Sequence, residues 1–256
     1  MVRMAGTLSS CVLVLVTALA GTAVADTPPG EGGTPSDLAA GAPPTAKPNP
    51  ADEKACAKKD GKACQRIGGF YIDAKDEPKA LTYYLKACTL NVGVTCGFAA
   101  NIIKGQTEPK PDFAKVFALH TKGCKLKDGG SCNNLGTSWS NGDDGAPSKN
   151  LGKALTAYAQ ACKLDNGLGC FNLGNAYRLG ESVKVDLPTA ITHFQKSCDL
   201  KEARGCTELG IAYYEGKGVP KDVAMATTML ERSCALGSEI GCKNVELLKK
   251  AAAKKP

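Results

Sequence analysis

The chain has 256 residues, 43% of them hydrophobic but only 5% aromatic, and a net charge of +7 spread along its length. Such a composition must build its core from small aliphatics and alanine, which suits closely packed helices. Scattered basic residues with so few aromatics between them exclude a nucleic-acid footprint, and two histidines, His120 and His193, exclude a histidine-rich metal centre.

Residues 1–25 read as a cleaved secretory signal: Arg3, an apolar run from Leu8 to Ala20, and the small residues Ala23 to Ala25 before Asp26. The run is too short and too weakly flanked for a membrane anchor, so no membrane span is expected in the mature chain. "LSSC" at Leu8 to Cys11 resembles a lipidation box, but the hydrophobic stretch follows Cys11 instead of preceding it, which favours cleavage after Ala25. Removal of Cys11 leaves 12 of 13 cysteines, an even number suited to a secreted or periplasmic location.

Residues 26–50 hold seven of the 14 prolines and almost no bulky apolar side chain, so a flexible linker is expected there. The folded part is expected over 51–248, with a basic tail over 249–256.

Six cysteine pairs then set a rhythm, each pair spaced by eight: Cys56 and Cys64, Cys88 and Cys96, Cys124 and Cys132, Cys162 and Cys170, Cys198 and Cys206, Cys234 and Cys242. First cysteines recur after 32, 36, 38, 36 and 36 residues, a tandem repeat. Four residues after the second cysteine stand Gly68, Ala100, Gly136, Gly174 and Gly210; seven after stand Tyr71, Ile103, Trp139, Tyr177 and Tyr213. Those offsets make one helical face, with the small residue leaving room for a neighbour. Four residues before the first cysteine, Tyr84, His120, Tyr158, Phe194 and Leu230 mark a second helix. Each repeat is therefore a helix pair, with turn-formers and prolines between helices.

Neither zinc-type nor redox-type cysteine spacing occurs, whereas a tight turn between antiparallel helices can bring cysteines eight apart within disulfide range. The cysteines are read as staples worth roughly 2–3 kcal/mol each. In "ACKLDNGLGC", the turn is expected over Asp165 to Gly169, with Cys170 opening the next helix.

The stretch from Cys206 to Cys242 closely resembles the Sel1-like repeat, with its Leu-Gly, its tyrosine, its Gly-x-Gly-Val at Gly216 to Val219, and an alanine-bearing helix after Asp222. The added cysteine pairs are similar to those of the secreted, cysteine-rich bacterial proteins grouped as the Hcp β-lactamase family. The resemblance implies an all-α fold, a right-handed α/α superhelical solenoid of TPR-like repeats stapled by disulfides. It also implies pairing within each pair: Cys56 to Cys64, Cys88 to Cys96, Cys124 to Cys132, Cys162 to Cys170, Cys198 to Cys206 and Cys234 to Cys242. "KNVELLKKAAAKK" after Cys242 reads as a polar capping helix.

The family name further implies penicillin binding and slow β-lactam hydrolysis. No Ser-x-x-Lys or Lys-Thr-Gly exists in the chain, however, so no catalytic residue is assigned and an enzyme is not the preferred reading. His120 fills an aromatic core slot and is expected to be packed and hydrogen-bonded; His193, off that face, is expected to be exposed. Gly216 and Gly218 are explained by turn chemistry, without a phosphate-loop motif. No cofactor or metal is expected.

One polar constellation repeats in register. Two residues after the second cysteine stand Asn134, Asn172 and Asn244, with Arg66 and Glu208 at matching positions and Phe98 between them. On stacked helices such a column would line the concave face, where amides can bond an extended peptide backbone. The competing reading is helix-start chemistry, with Ser131 as N-cap and Asn134 in the first turn. Asn175, Arg178 and Tyr214 extend the same candidate surface. The expected function is an exported binding module for a protein, peptide, cell-wall or β-lactam-like ligand; the alternative is a weak β-lactam-hydrolysing enzyme.

Overall fold

A computed structural model describes residues 47–253. The expected signal peptide, Cys11, the linker up to residue 46 and residues 254–256 lie outside the described residues.

Twelve helices and no strands make up the described chain: α1 (Pro50–Ala57), α2 (Gly61–Asp73), α3 (Glu77–Thr89), α4 (Gly93–Gly105), α5 (Phe113–Lys125) and α6 (Gly129–Asn141), then α7 (Leu151–Lys163), α8 (Gly167–Leu179), α9 (Leu187–Asp199), α10 (Ala203–Glu215), α11 (Val223–Ala235) and α12 (Glu239–Ala253). Helix α1 takes in Pro50 at its first turn, and α12 continues through Lys249 and Lys250 into the stretch expected as a tail.

The boundaries follow from caps that recur with the repeat. Asp76, Asp112, Asn150, Asp186 and Asp222 each accept a backbone N–H from three residues on, starting the odd-numbered helices α3 to α11. Asp60, Asp128 and Asn166 do the same for α2, α6 and α8. At the hinge before each even helix, a residue three after the first cysteine takes a left-handed conformation: Lys59, Asn91, Lys127, Asp165, Lys201 and Gly237. The following N–H returns to the helix it leaves, as from Asn166 to Ala161 at 3.0 Å, the pattern of a Schellman stop. This hinge is tighter than expected. Asn166 caps α8 and Gly167 opens it, so Cys170 already lies in the helix.

All six cysteine pairs are joined within the pair, at Cα–Cα distances between 4.4 and 4.9 Å. Each bond ties the last turn of one odd helix to the first turn of the next even helix. Within a repeat, the glycine of the even helix receives the aromatic ring of the odd one: a Cβ at Gly174 would stand 2.6 Å from the Phe194 ring. That close approach is why the core can be made of alanine and a few large side chains, with Tyr84, Phe194, Leu209 and Leu230 fully buried.

Each helix packs on the next, and α4, α6, α8, α10 and α12 also touch in succession, whereas no two odd helices pack as closely. The even helices therefore form the inner layer of an α/α solenoid and the odd helices the outer one.

Candidate functional site

Most of the polar column maps onto the inner layer as two polar clusters, one around Asn133 and one around Arg178. Asn172 of α8 donates Nδ2 to Asn133 Oδ1 of α6 at 2.8 Å, and Asn133 donates to Asn134 Oδ1 at 3.4 Å. Farther along α8, Arg178 donates Nε and Nη2 to Asn175 Oδ1 at 3.1 and 2.9 Å. Its Nε also stands 4.0 Å from Glu208 Oε2 on α10. Burial holds the Glu208 carboxyl above the usual carboxylate range; Arg178 opposes that shift and Glu215 adds to it. Asn134, Asn172, Asn175, Arg178 and Glu208 are all half-buried, so both clusters are reachable from solvent.

The remaining expected residue stands apart. Tyr214 packs against the cluster of Leu230, Val245 and Leu248, with Lys221 Nζ 5.2 Å from its ring centre. Asn244, expected on the exposed column, is fully buried, and neither its Oδ1 nor its Nδ2 has a partner. Arg66 is engaged by Asp52 at the N-terminal end, and Phe98 packs on Tyr84. The usable column is therefore confined to α6, α8 and α10.

Register does not single out Asn133, because its column also holds Gln65, Gly97, Phe171, Thr207 and Lys243. Its signal is an amide at a helix position flanked by core residues; it is only 4% exposed.

Helix-start chemistry does not account for Asn134. Ser131 is not the cap: Asp128 Oδ2 accepts its backbone N–H at 2.8 Å, so the helix starts at Gly129 and Asn134 lies in the second turn. The left-handed Lys127 moves the helix start upstream of the position that Ser131 suggests.

The histidines divide differently from expectation. His120 is packed at 2% exposure, but its Nδ1 has no hydrogen-bond partner, and burial pushes its pKa down to about 4. His193 is half-buried instead of exposed: its ring stacks on Tyr177 at 5.6 Å and 21°, and burial followed by Lys196 lowers its pKa. Gly216 and Gly218 both adopt positive φ, at 73° and 78°, as turn residues do. Among the described residues no group of three or more His, Cys, Asp or Glu side chains could hold a metal ion, and no helix is long and apolar enough to cross a membrane.

A family profile described as the Sel1 repeat matches residues 64–92, 130–166, 167–202 and 203–238, together more than half of the chain. The fold is similar to that of a Sel1 repeat protein from Oxalobacter formigenes, at 19% identity and a TM-score of 0.65 over 75% of this chain and 86% of that one. It is also similar to a protective antigen of uropathogenic Escherichia coli with an SLR fold, at 20% identity and a TM-score of 0.67, covering 76% of this chain and 42% of that one. Cysteine rich protein B of Helicobacter pylori is 33% identical over 55% of this chain and 98% of its own, with a TM-score of 0.43. No curated protein matches the chain.

Proposed function

The chain belongs to the Sel1 repeat family, and from that premise we propose that it is an exported interaction module holding a peptide segment of a protein or cell-envelope ligand on the inner surface of α6, α8 and α10. One observation carries the reading: two polar clusters, Asn134 with Asn172 and Asn175 with Arg178 and Glu208, lie on three successive inner helices with all five side chains half exposed. Asn134 Nδ2 and Asn172 Oδ1 make no hydrogen bond within the described residues, so donor and acceptor capacity faces solvent there. An extended backbone offers alternating N–H and C=O groups to such a surface. Six disulfides fit an oxidising compartment.

The β-lactam-hydrolysing alternative finds no support among the described side chains. His120 is buried with its Nδ1 lacking a partner, His193 is stacked on Tyr177, and Ser131 is buried.

The test is photo-crosslinking capture from envelope extract with the disulfide-intact chain and with an Asn134→Ala, Arg178→Ala variant. A captured protein that is lost with the variant supports the reading. Capture of the same proteins by both chains refutes the inner surface as the site.

A further inference from the structure

The solenoid has a second opening, on its outer side. Helices α7 and α9 stand apart over α8 and leave a groove of about 620 Å³, floored by Leu173 and Tyr177, with Ala159 on one wall and His193 on the other.

The repeats serve as their own controls for why the opening occurs here. Three residues before the first cysteine, the outer helices carry Leu85, Thr121, Ala159, Gln195 and Glu231, so α7 has the smallest side chain of the series. Leu85, at the corresponding position of α3, packs against the Ala80, Tyr84 and Ala99 cluster. Between α9 and α11 the gap is bridged by Arg232, which donates to Asp199 at 3.1 Å and to the Cys198 carbonyl at 3.0 Å. The residue in Arg232's register on α9 is Lys196, which reaches only Asp165 in the hinge, at 2.9 Å.

The lining has a definite chemistry. Its charged members, Lys163 and Lys196, are both basic, and no carboxylate lines it. Asp165 is engaged with Lys196 in a pair whose side chains are 69% and 42% exposed, and such a pair is weak and open to exchange. The stacked rings of Tyr177 and His193 offer a flat wall to an apolar side chain.

We propose that this groove docks an acidic segment of a partner protein, seating a bulky apolar side chain between Ala159 and Tyr177 and setting its flanking carboxylates on Lys163 and Lys196. The surface is separate from the inner polar clusters, so one chain can hold two partners or two segments of one.

The test is selection of short random peptides displayed on phage against the disulfide-bonded full chain, followed by affinity measurement on variants. Ala159 is exposed, so Ala159→Trp fills the groove without entering the core; Lys163→Glu with Lys196→Glu inverts the rim and serves where the tryptophan perturbs folding. The expected clones carry carboxylates beside a bulky apolar residue and bind either variant about tenfold more weakly. Clones without acidic enrichment, or no clones at all, overturn the proposal. Clones weakened by Asn172→Ala with Arg178→Ala but indifferent to both groove variants also overturn it, while leaving the inner-surface reading intact.

Discussion

The side-chain amide of Asn172 donates to Asn133 Oδ1 at 2.8 Å across 39 residues of sequence, joining α8 to α6 on the inner surface. Because Asn133 is buried, that bond gives one polar column two jobs, holding adjacent repeats in register and presenting amides to solvent. The two are separable. Asn172→Ala should cost about 1–2 kcal/mol, since it leaves the buried Asn133 oxygen without its donor. Asn134→Ala removes only a 3.4 Å contact at a half-buried site and should cost under about 0.5 kcal/mol. Denaturant unfolding of the oxidised chain measures both, and a cost for Asn172→Ala below about 0.5 kcal/mol would show that the interhelical bond carries no stability.

Glycine at the aromatic-facing position should resist even a methyl group. A Cβ on Gly174 would lie 2.6 Å from the Phe194 ring and 3.2 Å from the Ala190 carbonyl oxygen. Gly174→Ala is therefore expected to destabilise by about 1–3 kcal/mol through overpacking, despite the better helix propensity of alanine. Gly105, with nothing within 4 Å, is the control: Gly105→Ala should be neutral or stabilising by up to about 1 kcal/mol. The same sign for both variants would contradict the close-approach argument.

Asn244 should be more stable as a hydrocarbon. Both of its amide atoms are buried without partners, and burying a polar side chain without hydrogen bonds costs about 1–3 kcal/mol. Asn244→Leu keeps the approximate volume on α12, the helix that carries the buried Val245 and Leu248. A rise in melting temperature is expected, and a fall would mean that Asn244 is satisfied by bound water.

Cysteine spacing made the architecture legible because a disulfide hinge and a helical face are both local properties, set within about ten residues of each cysteine. The staple role of the cysteines, the room that Gly174 leaves for a neighbouring helix and the turn role of Gly216 follow from such local rules. The pairing within each pair is implied by the family resemblance, and that Gly174 faces the Phe194 ring is shown only by the structure. What was not legible depends on how successive helices rotate against one another. Asn134 and Asn244 share a register position, yet one is half exposed and the other fully enclosed, a difference that register along a single helix does not encode. The cap moved from Ser131 to Asp128 for a local reason that was hidden: a lysine, Lys127, adopts the left-handed conformation ordinarily signalled by glycine.

The buried histidine should make stability depend on mild acid. His120 has an ordinary pKa of 6.5, lowered to about 4 in the folded chain mainly by burial; Asp144 and Asp128 oppose the shift and Lys104 adds to it. Between those two values the unfolded chain binds a proton that the folded chain does not, so stability falls as pH drops through this window, by at most about 1.4 kcal/mol per pH unit. His193, also lowered, contributes in the same direction. Glu208 works oppositely: its raised pKa makes the folded chain hold a proton longer, so its contribution is lost as pH rises above the ordinary 4.5. His120→Leu installs the side chain that Leu230 supplies in the same register. It should remove most of the decline between pH 6.5 and about 4, and Glu208→Gln should steepen it. Unfolding curves across that range decide the matter: an unchanged slope in His120→Leu would mean that His120 protonates freely in the folded state, and that its slot is less closed than its 2% exposure indicates.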